Sequence, residues 1–405
     1  MRRPITKPKA ITADGRVLIT WYKTTPFFSD ARADEFSTFR VCRKREDRFT
    51  FGEDGEEFFL GGRAGNAEVV FEGPLRAHNK RKYTFVDAGV EAGNTYSYFV
   101  QTKNSAPIGP APVKVRDPRV WWPYRKIMSR LEALADAAPE LVRLTACGTT
   151  GAGRSIPRVQ VGTGRRVLGL VGMIHGGESG PELIIPALER LSREATSLLR
   201  KTAIVAVPVV NIDAREQMVQ GVPWYLRTTP QGVDLNRNFP AGWENVEYGY
   251  GLDSSDPDSV TYRGPLAGST PETQAVMSAF VETRPYAVLS FHWLASICEM
   301  PGFAARAGTD DADYMERCRH IMQAYAGGLY PGRSYRKGWC SFQTTAGSLP
   351  TWFYEQGGIP AFDLEGGTSP EAKPGLTDRT DPDLLEDFQE RHRRAIEKVL
   401  QAAAD

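Results

Sequence analysis

A change of texture near residue 117 constrains this chain more than any other feature. From about residue 10 to 116 apolar residues alternate in short runs separated by Gly, Asn and Pro: RVLITWYK, STFRVCRK, AEVVFEG, KYTFVDA, NTYSYFVQT and APVKVR. Period two is the repeat of a half-buried strand, and many such runs at turn spacing predict a β-sandwich. The string RDPRVWWP, residues 116–123, reads as a linker, and beyond it the pattern changes. PYRKIMSRLEALADAA predicts an amphipathic helix with Ile127, Leu131 and Leu134 on its apolar face and Pro123 at its start. VLGLVGMI, AIVAVPVV, YAVLSFH and IPAFDLE predict strands buried on both faces. Helices are expected between them, near Pro181–Arg200, Pro271–Thr283, Ala312–Gly327 and Leu349–Gln356, with PDLLEDFQERHRRAIEKVLQ as a last one. The expected fold class is α/β preceded by a small all-β sandwich, with domains at 1–117 and 118–405.

Composition removes several function classes. Lys plus Arg (50) nearly cancels Asp plus Glu (49), so no overall affinity for nucleic acid or an anionic membrane is expected. The cysteines, Cys42, Cys147, Cys298, Cys318 and Cys340, are odd in number and never form a CxxC pair, which predicts thiols over a disulfide framework. No run approaches the roughly 18 apolar residues of a spanning helix. The basic start MRRPITKPK is not followed by an apolar run of about 7 to 15 residues, so no secretory signal is read and a cytoplasmic location is expected unless a signal has been removed.

The five histidines differ in context. His78, His320 and His392 lie in polar or helical-surface strings, where a solvated or partner-satisfied imidazole is the ordinary outcome. His175 and His292 each close a strongly apolar strand, VLGLVGMI and AVLSF, and in open α/β sheets ligands gather at the carboxyl ends of strands. Glu178 follows His175 by three positions in HGGESG, so both side chains can address one cation. Alone this pair is weak, because Glu178 could equally complement the dipole of the following helix. A third strand-end ligand, His292, completes the His2Glu set of hydrolytic zinc sites, which keep a fourth position for water.

Such a site also needs a base, a cation for the developing oxyanion, and a means of fixing the substrate. Glu365, ending IPAFDLE, is the candidate base, with neighbouring Asp363 competing for the role. WYLRTTPQGVDLNRNFPAGW brings Arg227, Asp234, Asn236 and Arg237 within eleven positions.

HGGE, RTTPQGVDLNRNFP, LSFH and GSLPTWFYEQGGIPAFDLE occur in the order and approximate spacing of the zinc carboxypeptidase family, carboxypeptidase A type, and CGTTGAGRSIP is similar to its GxSxxGRxI segment. The resemblance covers about residues 120 to 402. It implies a mixed central sheet flanked by helices, one zinc ion held by His175, Glu178 and His292, and Glu365 as general base. It further implies that Arg227 polarises the scissile carbonyl, that Asn236 and Arg237 bind the substrate's terminal carboxylate, and that Asp234 orients His175. Phe342 falls where many members carry a Tyr that closes over the substrate, and Gly177 where digestive members carry an Arg. Leu349 lies near the position selecting the terminal side chain and suggests an apolar pocket. The implied activity is hydrolysis of the C-terminal amide bond of peptides. GVDLNRNFP, SFHWLASICEMP and GSLPTWFYEQGGIP are also similar to bacterial murein peptide amidases, which cut γ-D-glutamyl-diaminopimelate bonds, so a muropeptide is an alternative substrate. An N-acyl amino acid deacylase, which shares an HGxE and a DLNR-like string, and a zinc-containing binding module are the remaining alternatives.

The order of features in the first 117 residues, an early strand with Trp21, then VEAGNTYSYFVQTKN with Tyr96 and Tyr98, then a Pro-rich last strand, resembles a fibronectin type III module. Its expected role is to pack on the catalytic domain.

Overall fold

A computed structural model describes residues 4–24, 36–46, 50–51, 57–58, 64–78, 81–102, 105–223, 225–244, 255–292, 301–305, 311–332, 340–342, 346–366 and 382–404. The chain divides into two compact units, Met1–Trp121 with Gln217–Tyr225, and Trp122–Glu216 with Leu226–Asp405. No helix among the described residues is long and apolar enough to cross a membrane. Cys42, Cys147 and Cys318 are thiols; Cys298 and the Cys340 side chain lie outside the described residues.

The first unit is all β. Its strands are β1 (Lys9–Ala13), β2 (Arg16–Tyr22), β3 (Phe36–Glu46), β4 (Thr50–Phe51), β5 (Glu57–Phe58), β6 (Glu68–Arg76), β7 (Lys82–Asp87), β8 (Thr95–Thr102) and β9 (Ile108–Lys114). They form an antiparallel three-stranded sheet, β1-β2-β7, and an antiparallel four-stranded sheet, β6-β3-β8-β9, with β4 and β5 paired separately. The inward residues are those the alternation selects. Trp21 is fully buried, stacked on Tyr83 at 6.3 Å between centroids with the edge of Phe39 at 5.1 Å. The Tyr96 hydroxyl accepts the Glu91 N–H at 3.1 Å, tying β8 to the corner before it. Gln217–Tyr225, remote in sequence, joins this unit through the backbone: Thr12 N–H donates to Gln220 O and Lys114 N–H to Gly221 O, both at 2.8 Å. The Arg116 guanidinium donates to Met218 O and Val222 O at 2.6 Å each.

The second unit contains α1 (Tyr124–Ala137), β10 (Val142–Thr149), β11 (Ser155–Val161), β12 (Arg166–Gly172), α2 (Pro181–Glu194), α3 (Thr196–Lys201) and β13 (Thr202–Val207). Then come α4 (Ile212–Val219), whose residues from Gln217 on belong to the first unit, a single 3₁₀ turn (Leu235–Arg237), α5 (Pro271–Phe280), β14 (Ala287–Phe291), β15 (Pro301–Ala305) and α6 (Ala312–Leu329). β16 (Cys340–Phe342), α7 (Leu349–Glu355), β17 (Ala361–Gly366) and α8 (Pro382–Ala404) complete it. Three helices start on the residues their sequence provides as caps: Thr270, Asp311 and Ser348 each accept an N–H of the first turn.

The strand order is β10-β11-β13-β12-β14-β17-β15-β16. β12 pairs in parallel with β13 and β14, and β14 with β17, whereas β10, β11 and β15 enter antiparallel, so the sheet is mixed. From β12 the chain winds to β13 on one side and later to β14 on the other. In such sheets the carboxyl ends at a reversal of this kind, here those of β12 and β14, are the ordinary ligand position.

Two expectations change. The helix read over Pro181–Arg200 is two helices, because Ala195 leaves the helical region (φ −120°, ψ 33°) while its N–H still bonds Leu191 O. His392 is not on a helix surface but fully buried in α8, its Nδ1 accepting from the Tyr325 hydroxyl at 2.6 Å. Burial, with Arg391 adding to it, lowers its pKa to about 3. The unfolded chain, with an ordinary value near 6.5, therefore binds this proton first, and stability falls as pH drops between those limits. From pH 7 to 4.5 the wild type is expected to lose about 2–3 kcal/mol more than His392→Gln in urea unfolding. Equal losses in both proteins would contradict a neutral buried imidazole.

Candidate metal centre and active site

Parallel pairing of β12 with β14, ending at Gly172↔Phe291, sets the ends of the two strands side by side. His292 follows Phe291 directly, and its N–H donates to Leu364 O of β17 at 3.1 Å. After Gly172 the chain turns through Met173, a buried residue with positive φ (56°), while the carbonyls of Gly172 and Met173 accept the N–H groups of Val210 and Asn211. Glu178 N–H then closes back on His175 O at 3.1 Å, so the two side chains share one side of the turn before α2 begins at Pro181.

His175, Glu178 and His292 are all buried, and one ligand atom from each lies within 4.8 Å of the other two. His175 Nδ1 is 2.5 Å from Glu178 Oε1, and His292 Nδ1 is 3.3 Å from Glu178 Oε2. The far nitrogens face other acceptors: His175 Nε2 lies 3.0 Å from Asp234 Oδ1, and His292 Nε2 lies 3.0 Å from Ser290 Oγ and 3.2 Å from Asp363 Oδ1. With the ring protons on Nε2, both Nδ1 lone pairs converge on a carboxylate. Three acceptors meeting in a buried space repel one another unless a cation sits among them. Two imidazole nitrogens and a carboxylate are the donor set zinc takes in hydrolytic sites, and these residues fit it.

The electrostatics show that positive charge is favoured beside this carboxylate. Burial would raise the Glu178 carboxyl, but the flanking imidazoles of His175 and His292 override it and hold the group well below the usual carboxylate range. Burial works against Asp234 in the same way, and Arg227 first, then His175, hold that carboxyl far down as well. His292 would be lowered by burial yet is held up by Glu178 and Asp363.

Asp234 organises the neighbouring turn. It caps the 3₁₀ turn by accepting Asn236 N–H at 3.0 Å, faces His175 Nε2, and accepts from Arg227 Nε at 2.8 Å. Asn236 and Arg237 are consequently buried beside the candidate metal ligands, with the Arg237 guanidinium donating to Asn236 O. The Asn236 amide is held at both ends: Nδ2 donates to Asp363 Oδ2 at 2.8 Å and Oδ1 accepts Leu349 N–H at 2.9 Å. Leu349, fully buried, heads α7. Gly347 has a positive φ of 67°, and a Cβ there would lie 2.1 Å from Arg237 O, so only glycine permits this close approach.

Of the sequence-predicted residues, His175, Glu178, His292, Asp234, Arg227, Asn236, Arg237 and Leu349 are thus linked by contacts in one region. The backbones of Glu365, on β17, and Phe342, on β16, are placed opposite Gly302 and Ala305 of β15; both side chains lie outside the described residues. Asp363, the rival candidate for the base, instead faces His292 Nε2, the side of the ring turned from Glu178. A sequence signal for this exists: a carboxylate inside the apolar strand AFDL must be paired if it is buried.

Residues 127–374 match the zinc carboxypeptidase family. The chain belongs to that family. Human carboxypeptidase B is 27% identical over 264 residues, covering 60% of this chain and 62% of the relative. Murein peptide amidase A from Escherichia coli (strain K12) is 34% identical over 150 residues, covering 32% of this chain and 58% of the relative. The chain thus spans about three fifths of the length of these curated relatives. Among solved structures, the carboxypeptidase A from Helicoverpa armigera superimposes with TM-score 0.60 at 16% identity, covering 92% of this chain and 98% of that one. Bovine thrombin-activatable fibrinolysis inhibitor, solved with tick carboxypeptidase inhibitor, gives 0.56 at 18% identity over 70% of this chain and 98% of that one. These likenesses establish a zinc carboxypeptidase fold.

Proposed function

We propose that this member of the zinc carboxypeptidase family is a zinc metallopeptidase that removes C-terminal residues from peptides. The observation that carries the reading is the Asp234 turn, whose carboxylate holds the metal ligand His175 while the two following residues, Asn236 and Arg237, form a buried amide and guanidinium beside it. A carboxylate docked on that pair brings the preceding amide bond up to the metal ligands.

A zinc ion held by His175, Glu178 and His292 supplies a Lewis acid that polarises the amide carbonyl and lowers the pKa of water. Glu365 takes the proton from the attacking water and passes it to the leaving amine. Arg227, fixed through Nε by Asp234, is the cation that stabilises the carbonyl oxygen as charge develops there. Arg237 holds the terminal carboxylate through a planar two-pronged contact that a Lys would not reproduce. Leu349, buried at the head of α7, supports an apolar wall for the terminal side chain.

Arg237→Ala tests the exopeptidase reading. Truncating a buried charge that pairs with a ligand typically costs about 2–5 kcal/mol, so KM for a peptide with a free C-terminus should rise by about 30-fold or more. The C-terminally amidated peptide should change little. Equal effects on both would show that no chain terminus is recognised.

The 34% identity to murein peptide amidase A favours a second reading, in which the substrate is a muropeptide cut at the γ-D-glutamyl-diaminopimelate bond. Mass spectrometry of products from ordinary peptides and muropeptides digested side by side separates the two. For the first unit, the three-plus-four strand order and the Tyr96 corner support a fibronectin type III-like module.

A further inference from the structure

The two carboxylates behind the imidazoles are joined through one residue. Asn236 binds Asp234 with its backbone N–H and Asp363 with its side-chain amide. Asp363 is 6% exposed, and the parallel register sets it opposite Ser290, two residues before His292. Its Oδ2 accepts from Asn236, while its Oδ1 accepts no hydrogen bond among the described residues and lies 3.2 Å from His292 Nε2. A buried carboxylate oxygen without a donor is costly, so the charge contact with the His292 ring nitrogen offsets its burial, and the ring is held in return.

We infer that Asp363 is a positioning residue that couples the metal ligand His292 to Asn236, and through it the metal site to the site for the substrate's terminal carboxylate. The inference rests on the metallopeptidase reading. Geometry fixes the direction of each link. Leu349 N–H occupies the Asn236 carbonyl, so the amide nitrogen must face Asp363, the acceptor on its other side. One Nδ2 proton is given to the carboxylate and the second is left for a substrate oxygen. If Asp363 is lost, the Asn236 amide can rotate and His292 Nε2 keeps only Ser290, so both sites loosen together.

The test measures zinc affinity by chelator competition on the whole chain, and KM at saturating zinc for a free-carboxylate peptide. Asp363→Ala should weaken zinc by about 10- to 100-fold and also raise KM for the free-carboxylate peptide, with less effect on its amidated counterpart. Asp363→Asn, nearly isosteric, keeps an acceptor for Asn236. It should weaken zinc while leaving KM near wild type, and it carries the test if the alanine variant fails to fold. Zinc affinity unchanged in the folded variants overturns the inference, as does a loss of zinc affinity in Asp363→Ala with KM untouched, which reduces Asp363 to a partner of His292 alone. A wild-type chain that binds no zinc overturns the metallopeptidase reading and this inference with it.

Discussion

Glu365→Gln is expected to retain zinc at the wild-type level and to lose about 10² to 10⁴ in kcat, the usual contribution of a positioned general base. The rival carboxylate, Asp363, contacts Asn236 and His292, on the side of the ring away from Glu178, and Glu365 is the base we propose. Glu365 stands at the end of the same strand, next to Leu364, whose carbonyl accepts the His292 N–H. Gln preserves size and hydrogen bonding but cannot take a proton, so the variant separates metal binding from proton transfer. Zinc bound with normal turnover would remove Glu365 from the mechanism.

Arg227→Ala is expected to cost about 2.7–4 kcal/mol of barrier, or roughly 10²- to 10³-fold in kcat, the usual penalty for deleting one oxyanion donor. Placement suits the residue to this role, because its Nε is tied to Asp234, which fixes the guanidinium plane, while the side chain remains 24% exposed and within a substrate's reach. Because Asp234 also faces His175, some loss of zinc affinity is expected too, and kcat is therefore compared at saturating zinc. Arg227→Lys should recover only part of the rate, since an ammonium cannot pair with Asp234 and a carbonyl in the same fork geometry. A variant with full kcat and altered KM would make Arg227 a binding residue.

The two candidate histidine ligands are legible in the sequence because each closes an apolar strand pattern, whereas Glu178, in the turn after the first, gains weight only beside them. Continuous apolar runs ending in His175 and His292 name two parallel strands, and parallel neighbours carry their ends to one place. Asp234 and Arg227 are legible only through family resemblance, since a polar loop carries no periodicity. The role of Asp363 is hidden because its partner, His292, is contributed by a different strand, and cross-strand register cannot be obtained from one sequence. The hairpin of β10 and β11 is obscured for a like reason: VRLTACGT and SIPRVQV are short and half-polar, with no continuous apolar run to mark them. The attachment of Gln217–Tyr225 to the first unit leaves no trace in sequence, because the Arg116 and Thr12 side chains and the strand backbones there all bond main-chain carbonyls, which every residue possesses. His392 shows the same limit from the other side. ERHRR is written as a surface string, yet Tyr325 and the packing of α6 on α8 bury its imidazole.

The central claim is that His175, Glu178 and His292 hold one zinc ion with a coordination position open. Anomalous diffraction at the zinc edge, from crystals of the zinc-loaded chain, tests it most directly. The account predicts one peak about 2.0–2.2 Å from an imidazole nitrogen of each histidine and from a Glu178 oxygen, with no fourth protein ligand. A peak elsewhere, or an ion that reaches only one of the three side chains, contradicts it.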